Sequence, residues 1–258
     1  MSEQLIFTNQ SFLQLGQYCQ PSYPSLDREF LRLDFLTTGC DGIDRLLGGG
    51  LPKQKIALVY GEAATGKSIL SMQISLEAAN KGHKVFYLDS DQSFSPNRME
   101  QLTRGAELAE RIVLFQPESF EAQSRIIESI ENLLTSTPTL LVVDSITGLY
   151  RTGRIKSEEY FGRDRELNRQ LAELNSLATR FALWILLTGQ VHSSPSGREW
   201  LVEPVATRAL RHWSDPILRL SRAPRQGVRD CFLEKKNGMD LSGSHSLFMI
   251  TEKGVEDA

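Results

Sequence analysis

The residues with the clearest chemistry lie between positions 61 and 68, where the chain reads Gly-Glu-Ala-Ala-Thr-Gly-Lys-Ser. Glycines at this spacing let the backbone approach closely, so that its N–H groups and the following helix N-terminus point at phosphate oxygens. Lys67 would bridge the terminal phosphates, and the Ser68 hydroxyl would complete the coordination of Mg²⁺. The segment therefore predicts a nucleotide-binding P-loop made of Gly61, Glu62, Ala63, Ala64, Thr65, Gly66, Lys67 and Ser68.

Polar side chains also follow three apolar segments. Asp144 ends the segment TLLVV and is a candidate to hold the metal-bound water, with a helix N-cap as the alternative. Asp89 and Asp91 follow KVFYL, and Gln190 follows ALWILLT. Because the carboxyl ends of parallel strands meet at one sheet edge, these groups would surround the P-loop. We predict that an aspartate aligns and deprotonates water and that Gln190 senses the terminal phosphate.

The elements that must position these residues alternate in type. Apolar runs predict strands at residues 55–60, 84–88, 111–115, 139–143 and 182–188. Amphipathic or capped segments predict helices at residues 67–81, after Pro96, around 126–134 and around 167–178. Three later strands, at 216–220, 230–234 and 247–251, have no helices between them. The predicted fold is α/β, with a mostly parallel sheet flanked by helices and a C-terminal antiparallel section.

Composition limits the function classes. A net charge of -3 and a pI of about 5.9 argue against a general nucleic-acid coat but leave room for a local basic patch. Three distant cysteines give neither a disulfide framework nor a paired zinc motif, which favours a reducing, cytoplasmic location. The chain has no secretory signal pattern and no run of apolar residues that could span a membrane.

The first 36 residues lack a clear pattern and predict an N-terminal arm of unknown role. Residues 37–258 would form the single large domain.

A series of segments, not the P-loop alone, resembles the RecA/RadA recombinase superfamily, and within it the archaeal RadB branch. In the order of that family they are TGCDGID at 38–44, LGGG at 47–50, the P-loop, DSDQSFSPNR at 89–98, VVDSIT at 142–147, TGQV at 188–191, HWS at 212–214, ILRL at 217–220 and ITEKG at 250–254. The segments HWS and FSPNR favour RadB over RadA.

The resemblance implies a RecA-type P-loop ATPase core that uses ATP and Mg²⁺, binds single-stranded DNA on two loops and serves homologous recombination and DNA repair. We expect such a protein to assist a main recombinase. By position, Lys67 and Ser68 match the family residues that bind the phosphates and the metal ion. Asp144 matches the carboxylate that holds the metal-bound water. Arg98 matches an arginine that lies against the adenine, and Gln190 matches the glutamine that links the γ-phosphate to a DNA-binding loop.

One departure from the family concerns catalysis. The catalytic base of the family is usually glutamate, and its aligned position here is Asp91. Aspartate is one methylene shorter, so its carboxylate falls short by roughly 1 Å, a misplacement that can cost about a hundredfold in rate. We therefore predict slow hydrolysis, with ATP acting mainly as a conformational ligand.

Two other departures concern assembly. The N-terminal helical DNA-binding domain of the longer recombinases has no counterpart in the first 36 residues. The Phe-x-x-Ala segment that links subunits in that group is also missing there, since the nearest match at 7–10 lacks the alanine. We expect a dimer or short homo-oligomer in place of long filaments.

The resemblance places the first DNA-binding loop after Asp144 and the second at about residues 192–208. Basic side chains in these segments would contact DNA phosphates, and a solvated helix start or a plain surface loop is the alternative. The candidate DNA-binding residues are Arg151, Arg154, Lys156, Arg163 and Arg198.

Two other functions remain open at this point. The aspartate at the position of the catalytic glutamate, Asp91, and the acidic net charge also fit an ATP-gated, non-catalytic protein-interaction module. KaiC-like signalling ATPases share the Gly-rich segment before the P-loop and the P-loop itself. The segments HWS at 212–214 and ITEKG at 250–254 fit the recombinase branch better.

Overall fold

The computed structural model describes residues 34–103, 110–151, 157–196, 199–241 and 243–258. Residues 34–258 form one compact unit, which begins close to the predicted boundary at residue 37. The division of the chain into an arm and a domain stays a prediction.

The strands are β1 Phe35–Leu36, β2 Leu51–Pro52, β3 Ile56–Gly61, β4 Lys84–Asp89, β5 Ile112–Phe115, β6 Thr139–Asp144, β7 Trp184–Gly189, β8 Val191–Ser196, β9 Glu199–Pro204, β10 Ile217–Arg222, β11 Val228–Lys236, β12 Met239–Asp240, β13 His245–Thr251 and β14 Gly254–Asp257. The α-helices are α1 Asp41–Leu47, α2 Lys67–Asn80, α3 Pro96–Thr103, α4 Phe120–Ser129, α5 Ser157–Phe181 and α6 Thr207–Trp213. Short 3₁₀ helices lie at Ile130–Leu133 and Leu149–Arg151.

The main sheet confirms the predicted fold class. Strands β10, β3, β7, β6, β4 and β5 are neighbours in that order and run parallel. Beyond β10, strands β11, β13 and β14 continue the sheet in antiparallel pairs, and β12 pairs with β11. This arrangement places the ends of β3, β4, β6 and β7 side by side, where the candidate residues follow them.

Helices cover both faces of the sheet, which explains why β3, β6 and β7 are buried along their whole length. Alternate residues of β3 face opposite cores: Val59 packs in the core that contains Leu70 of α2, and Leu58 packs in the core that contains Leu171 of α5. The residues that predicted the long helix α5 are all fully buried: Leu167, Leu171, Leu174 and Ala178.

The side chain of Gln73 ties the helix after the P-loop to both ends of the unit. Its Nε2 donates to the carbonyl of Thr38 at 3.0 Å and to that of Val255 at 3.1 Å. Its Oε1 accepts from the N–H of Val255 at 2.6 Å. Gln73 is only 8% exposed, so water cannot replace these bonds easily. Helix α2, the segment at Thr38 and strand β14 are therefore held together through Gln73.

Replacing Gln73 with leucine should lower the free energy of unfolding by about 2–4 kcal/mol, because it leaves three buried backbone groups without this partner. Denaturant unfolding followed by circular dichroism measures the loss. The matched control is Asn80→Leu, at an exposed position at the end of the same helix. Equal stabilities of the two variants would show that the Gln73 bonds contribute little.

The resemblance places the second DNA-binding loop at about residues 192–208, and the described part of this segment forms strands and a helix. Strands β8 and β9 form an antiparallel hairpin that is separate from the main sheet, with Val191 opposite Pro204 and Ser196 opposite Glu199. Helix α6 follows it directly. Ser, Pro and Gly residues such as those of this segment are typical of loops, whereas valines at 191 and 202 and a tryptophan at 200 favour strands.

Among the helices of the described ranges, none combines the length and apolarity that crossing a bilayer requires. Cys40 and Cys231 are buried free thiols, and Cys19 lies outside the described residues.

Candidate functional site

The P-loop connects β3 to α2 and requires glycine at position 66. Gly66 has a φ of 106°, in the left-handed region that glycine adopts readily. A Cβ at this position would also lie 2.9 Å from Cδ1 of Ile250 on β13. The backbone turn and the close approach of β13 therefore both select glycine at the start of α2.

The ammonium group of Lys67 lies inside the P-loop. Its Nζ donates to the carbonyls of Gly61 at 2.9 Å and Glu62 at 2.8 Å. Burial lowers the pKa of Lys67, and the negative charges of Asp144, Asp91 and Glu62 oppose that shift. The structure thus brings Lys67 close to both predicted carboxylates.

Asp144 is a buried carboxylate at the end of β6, 2% exposed. Its Oδ2 accepts from the Tyr87 hydroxyl at 2.8 Å, and its Oδ1 accepts from the hydroxyl of Thr188. Burial raises the pKa of Asp144, while hydrogen bonds from Thr188, Tyr87 and Ser68 act in the opposite direction. The two residues predicted to hold the metal, Ser68 and Asp144, therefore lie close together.

Asp91 and Gln190 meet beside this carboxylate. The Gln190 Nε2 donates to both oxygens of Asp91, at 3.1 and 3.0 Å. The Ser145 hydroxyl donates to Asp91 Oδ2 at 3.0 Å. The carboxylate also requires glycine at position 148, where a Cβ would lie 1.9 Å from Asp91 Oδ1.

Asp89, the acidic residue that ends β4, has a different role. It is fully buried, and its oxygens accept the N–H groups of Ser93 and Phe94 at 2.9 Å each and the Gln116 amide at 3.1 Å. These bonds hold the turn between β4 and α3 in place. Of the two aspartates predicted to act on water, only Asp91 lies beside Gln190.

Arg98 contacts the turn between β13 and β14. Its guanidinium donates to the carbonyls of Thr251 and Glu252, the second at 3.1 Å, and to Gln101 at 3.0 Å. The preceding residue of that turn, Ile250, lines the P-loop cavity together with Ala64, Gly66, Lys67, Ser68 and Ile69. Contact of Arg98 with an adenine stays a prediction.

The candidate DNA-binding residues are only partly described. Arg154, Lys156 and Arg198 lie outside the described residues. Arg163 donates to the carbonyls of Leu149 and Tyr150, at 3.2 and 2.8 Å, and so holds the 3₁₀ turn that ends at Arg151.

Comparison with known proteins decides the family: the model of the Rad51 family matches residues 30–258. The chain belongs to the Rad51 family.

Several Rad51-family relatives are similar over most of the chain. RadB of Thermococcus kodakarensis, a DNA repair and recombination protein, is 37% identical over 227 residues, which cover 86% of this chain and 99% of the relative. RadB of Pyrococcus furiosus is 37% identical over 233 residues, or 88% of this chain and 97% of the relative. A crystal structure of the RadB recombinase superposes with a TM-score of 0.73 at 35% identity, covering 87% of this chain and 100% of that chain.

The resemblance inferred from sequence is thus confirmed, and the Rad51 family favours the recombinase branch over the KaiC-like alternative. Proteins of this family generally bind nucleotide with Mg²⁺. The roles assigned to individual residues of this chain stay predictions.

Two polar residues that hold another side chain of the candidate site could not be identified from the sequence. Tyr87 and Thr188 lie inside apolar strands and read as core residues, yet both hold Asp144. The pairing of Asp89 with Asp144 and of Leu187 with Val143 would have placed both hydroxyls near that carboxylate. Strand order was the missing information.

Proposed function

We propose that this chain is an ATP-binding, weakly hydrolysing RecA-family protein of homologous recombination and DNA repair. It binds single-stranded DNA and assists a main recombinase. The observation that carries the proposal is the convergence of Lys67, the Ser68–Asp144 pair and the Asp91–Gln190 pair at one edge of the sheet. The names of its relatives support a role in repair and recombination.

In this proposal the P-loop amides and Lys67 bind the phosphates of ATP. The residues fit a bound Mg²⁺, because Ser68 and the buried Asp144 offer oxygen ligands of the type that this ion prefers. The ion would supply positive charge against the phosphates. Tyr87 and Thr188 hold the Asp144 carboxylate through hydrogen bonds, as groups behind a metal ligand commonly do.

Asp91 is the proposed base that takes a proton from the attacking water, and Gln190 the sensor of the terminal phosphate. Arg98 would lie against the adenine. Arg151, Arg154, Lys156, Arg163 and Arg198 are the proposed DNA contacts. The arm at residues 1–36, a cytoplasmic location and assembly into a dimer or short homo-oligomer are part of the same proposal.

Turnover of ATP with and without single-stranded DNA, together with a salt titration of DNA binding, tests the whole proposal. DNA should raise turnover, and the logarithm of the binding constant should fall linearly with the logarithm of salt concentration. The absence of both DNA binding and any ATP-dependent change would reject it.

Replacing Asp91 with glutamate should raise the rate of hydrolysis by about tenfold or more, because the added methylene moves the carboxylate roughly 1 Å toward the water. Steady-state release of phosphate measures the effect. Asp91→Asn, which cannot accept a proton, is the matched control and should lower the rate. A glutamate variant that is no faster than the wild type would count against Asp91 as the base.

Replacing Gly148 with alanine should lower turnover by about tenfold, because the new methyl displaces the Asp91 carboxylate and misplaced reacting groups lose rate steeply. ATP affinity should stay unchanged, since Gly148 does not line the P-loop cavity. The matched control is Gly162→Ala on α5, where a Cβ would meet nothing within 4 Å. If both variants hydrolyse ATP at the wild-type rate, the position of Asp91 does not limit hydrolysis.

An ATP-gated interaction module remains the second candidate. It is favoured by the net charge of -3 and by the shorter side chain of the proposed base, Asp91. An association with a recombinase that depends on ATP and survives nuclease treatment would identify it.

A further inference from the structure

A continuous line of hydrogen bonds joins the 3₁₀ turn after β6 to the proposed base. Arg151 Nη1 donates to the side-chain oxygen of Gln190 at 3.1 Å. The Gln190 nitrogen then donates to both oxygens of Asp91. A residue proposed to bind DNA is thus one side chain away from a residue proposed to act on water.

The backbone of Gln190 is held in place, so within this residue it is the side chain that can move. Its backbone N–H donates to the Thr147 hydroxyl at 3.1 Å, and its carbonyl accepts the Val205 N–H at 2.9 Å. These bonds fix the residue between β7 and the end of the hairpin. Movement in this line is therefore a rotation of the amide and not a shift of the strand.

The turn that carries Arg151 is also braced. Arg163 bonds two of its carbonyls, and the Tyr150 hydroxyl donates to Asp164 at 2.5 Å. The exposed guanidinium of Arg151 is therefore the part of the turn that can exchange partners.

The observed arrangement restrains the base. A water that Asp91 deprotonates must come within hydrogen-bond distance of one of its carboxylate oxygens. Both oxygens accept from Gln190, and one accepts from Ser145 as well. Arg151 stabilises this state because it holds the oxygen of the Gln190 amide and so keeps the nitrogen on Asp91.

A phosphate would compete well for Arg151. The bond to Gln190 joins a charged donor to a neutral acceptor, whereas a phosphate oxygen is charged and can accept two parallel bonds from guanidinium. The single bond to the Gln190 amide offers neither the second bond nor the negative charge that a phosphate offers.

We infer that Arg151 is a positioning residue that couples DNA to hydrolysis: a DNA phosphate takes Arg151 from Gln190, and the released amide leaves Asp91 open to water. The inference rests on the proposed function and adds the side chain through which DNA regulates the site.

The test measures ATP turnover of the full chain at saturating ATP and Mg²⁺, with and without an oligothymidylate. In Arg151→Ala, turnover without DNA should rise by about fivefold, the change expected when one ordinary hydrogen bond no longer restrains the base. DNA should then add no further increase. Arg151→Lys keeps the charge and a donor group but loses the planar guanidinium, so its turnover without DNA should lie between those of the wild type and the alanine variant.

The control is Arg125→Ala, which removes an exposed positive charge from α4 and should leave turnover and its response to DNA unchanged. If Arg151→Ala has an unchanged or lower rate without DNA and still responds to it, the inference is wrong. A wild-type protein that hydrolyses ATP and binds DNA without stimulation also overturns the inference and spares the proposed function. A wild-type protein that does neither rejects the proposed function itself.

Discussion

Replacing Lys67 with alanine is expected to weaken ATP binding by about a hundredfold, because hydrogen bonds from a charged group contribute about 1.5–3 kcal/mol each and every 1.4 kcal/mol is tenfold in affinity. The ammonium group already lies in the P-loop, on the carbonyls of Gly61 and Glu62. Its burial without a phosphate is unfavourable, as the lowered pKa of Lys67 indicates. A bound phosphate would add to the negative charge that Asp144, Asp91 and Glu62 place around this ammonium group.

Titration calorimetry with ATP and Mg²⁺ measures the Lys67→Ala effect, and thermal unfolding checks that the variant folds. Lys81→Ala removes an exposed lysine just after the same helix and serves as the control. Equal affinities of the two variants would exclude Lys67 from phosphate binding.

Replacing Asp144 with asparagine should have two opposite effects. The first is a weaker effect of Mg²⁺ on ATP binding. The gain in ATP affinity that Mg²⁺ gives should fall by about ten- to a hundredfold, the range seen when groups that hold a metal are disturbed. Binding of ATP measured with Mg²⁺ and with a chelator separates this contribution. Tyr87→Phe removes only one donor to Asp144 and should cause a smaller loss. An unchanged response to Mg²⁺ in the asparagine variant would remove Asp144 from the metal site.

The second effect is higher stability at neutral pH. Burial raises the pKa of Asp144, so the folded protein binds this proton more tightly than the unfolded chain does. The stability from this proton is fully present below the ordinary aspartate pKa of about 3.9 and is lost as pH rises through the raised value. At pH 7 the charged group therefore lowers stability, and asparagine removes that cost. Calorimetry without nucleotide should show a higher Tm at pH 7 and a smaller difference in acid.

The sequence was most informative where local pattern decides structure. The P-loop lies between a buried strand and a helix because β-branched residues precede its glycines and helix formers follow them. Asp144 and Asp89 both end buried strands and look alike in the sequence, yet Asp89 binds the N–H groups of a turn, and the metal role of Asp144 stays a prediction. Register between distant strands was not available from the sequence, so Tyr87 and Thr188 read as core.

Contacts between loops were equally hard to predict. Asp89 and Asp91 are two positions apart and of one type, yet backbone N–H groups bind the first and Gln190 binds the second. The bond between Arg151 and Gln190 joins residues 39 positions apart in the sequence, and no periodicity predicts it.

The bonds of Gln73 bear on how this unit can be joined to other proteins. One side-chain nitrogen contacts the carbonyls of both Thr38 and Val255, so these two carbonyl oxygens lie within two hydrogen-bond lengths of each other. Units whose ends are this close tolerate insertion into a host loop or a circular permutation that joins those ends. A short linker from Asp257 to Thr37 would suit such a permutant, with new ends placed at an exposed turn far from the P-loop.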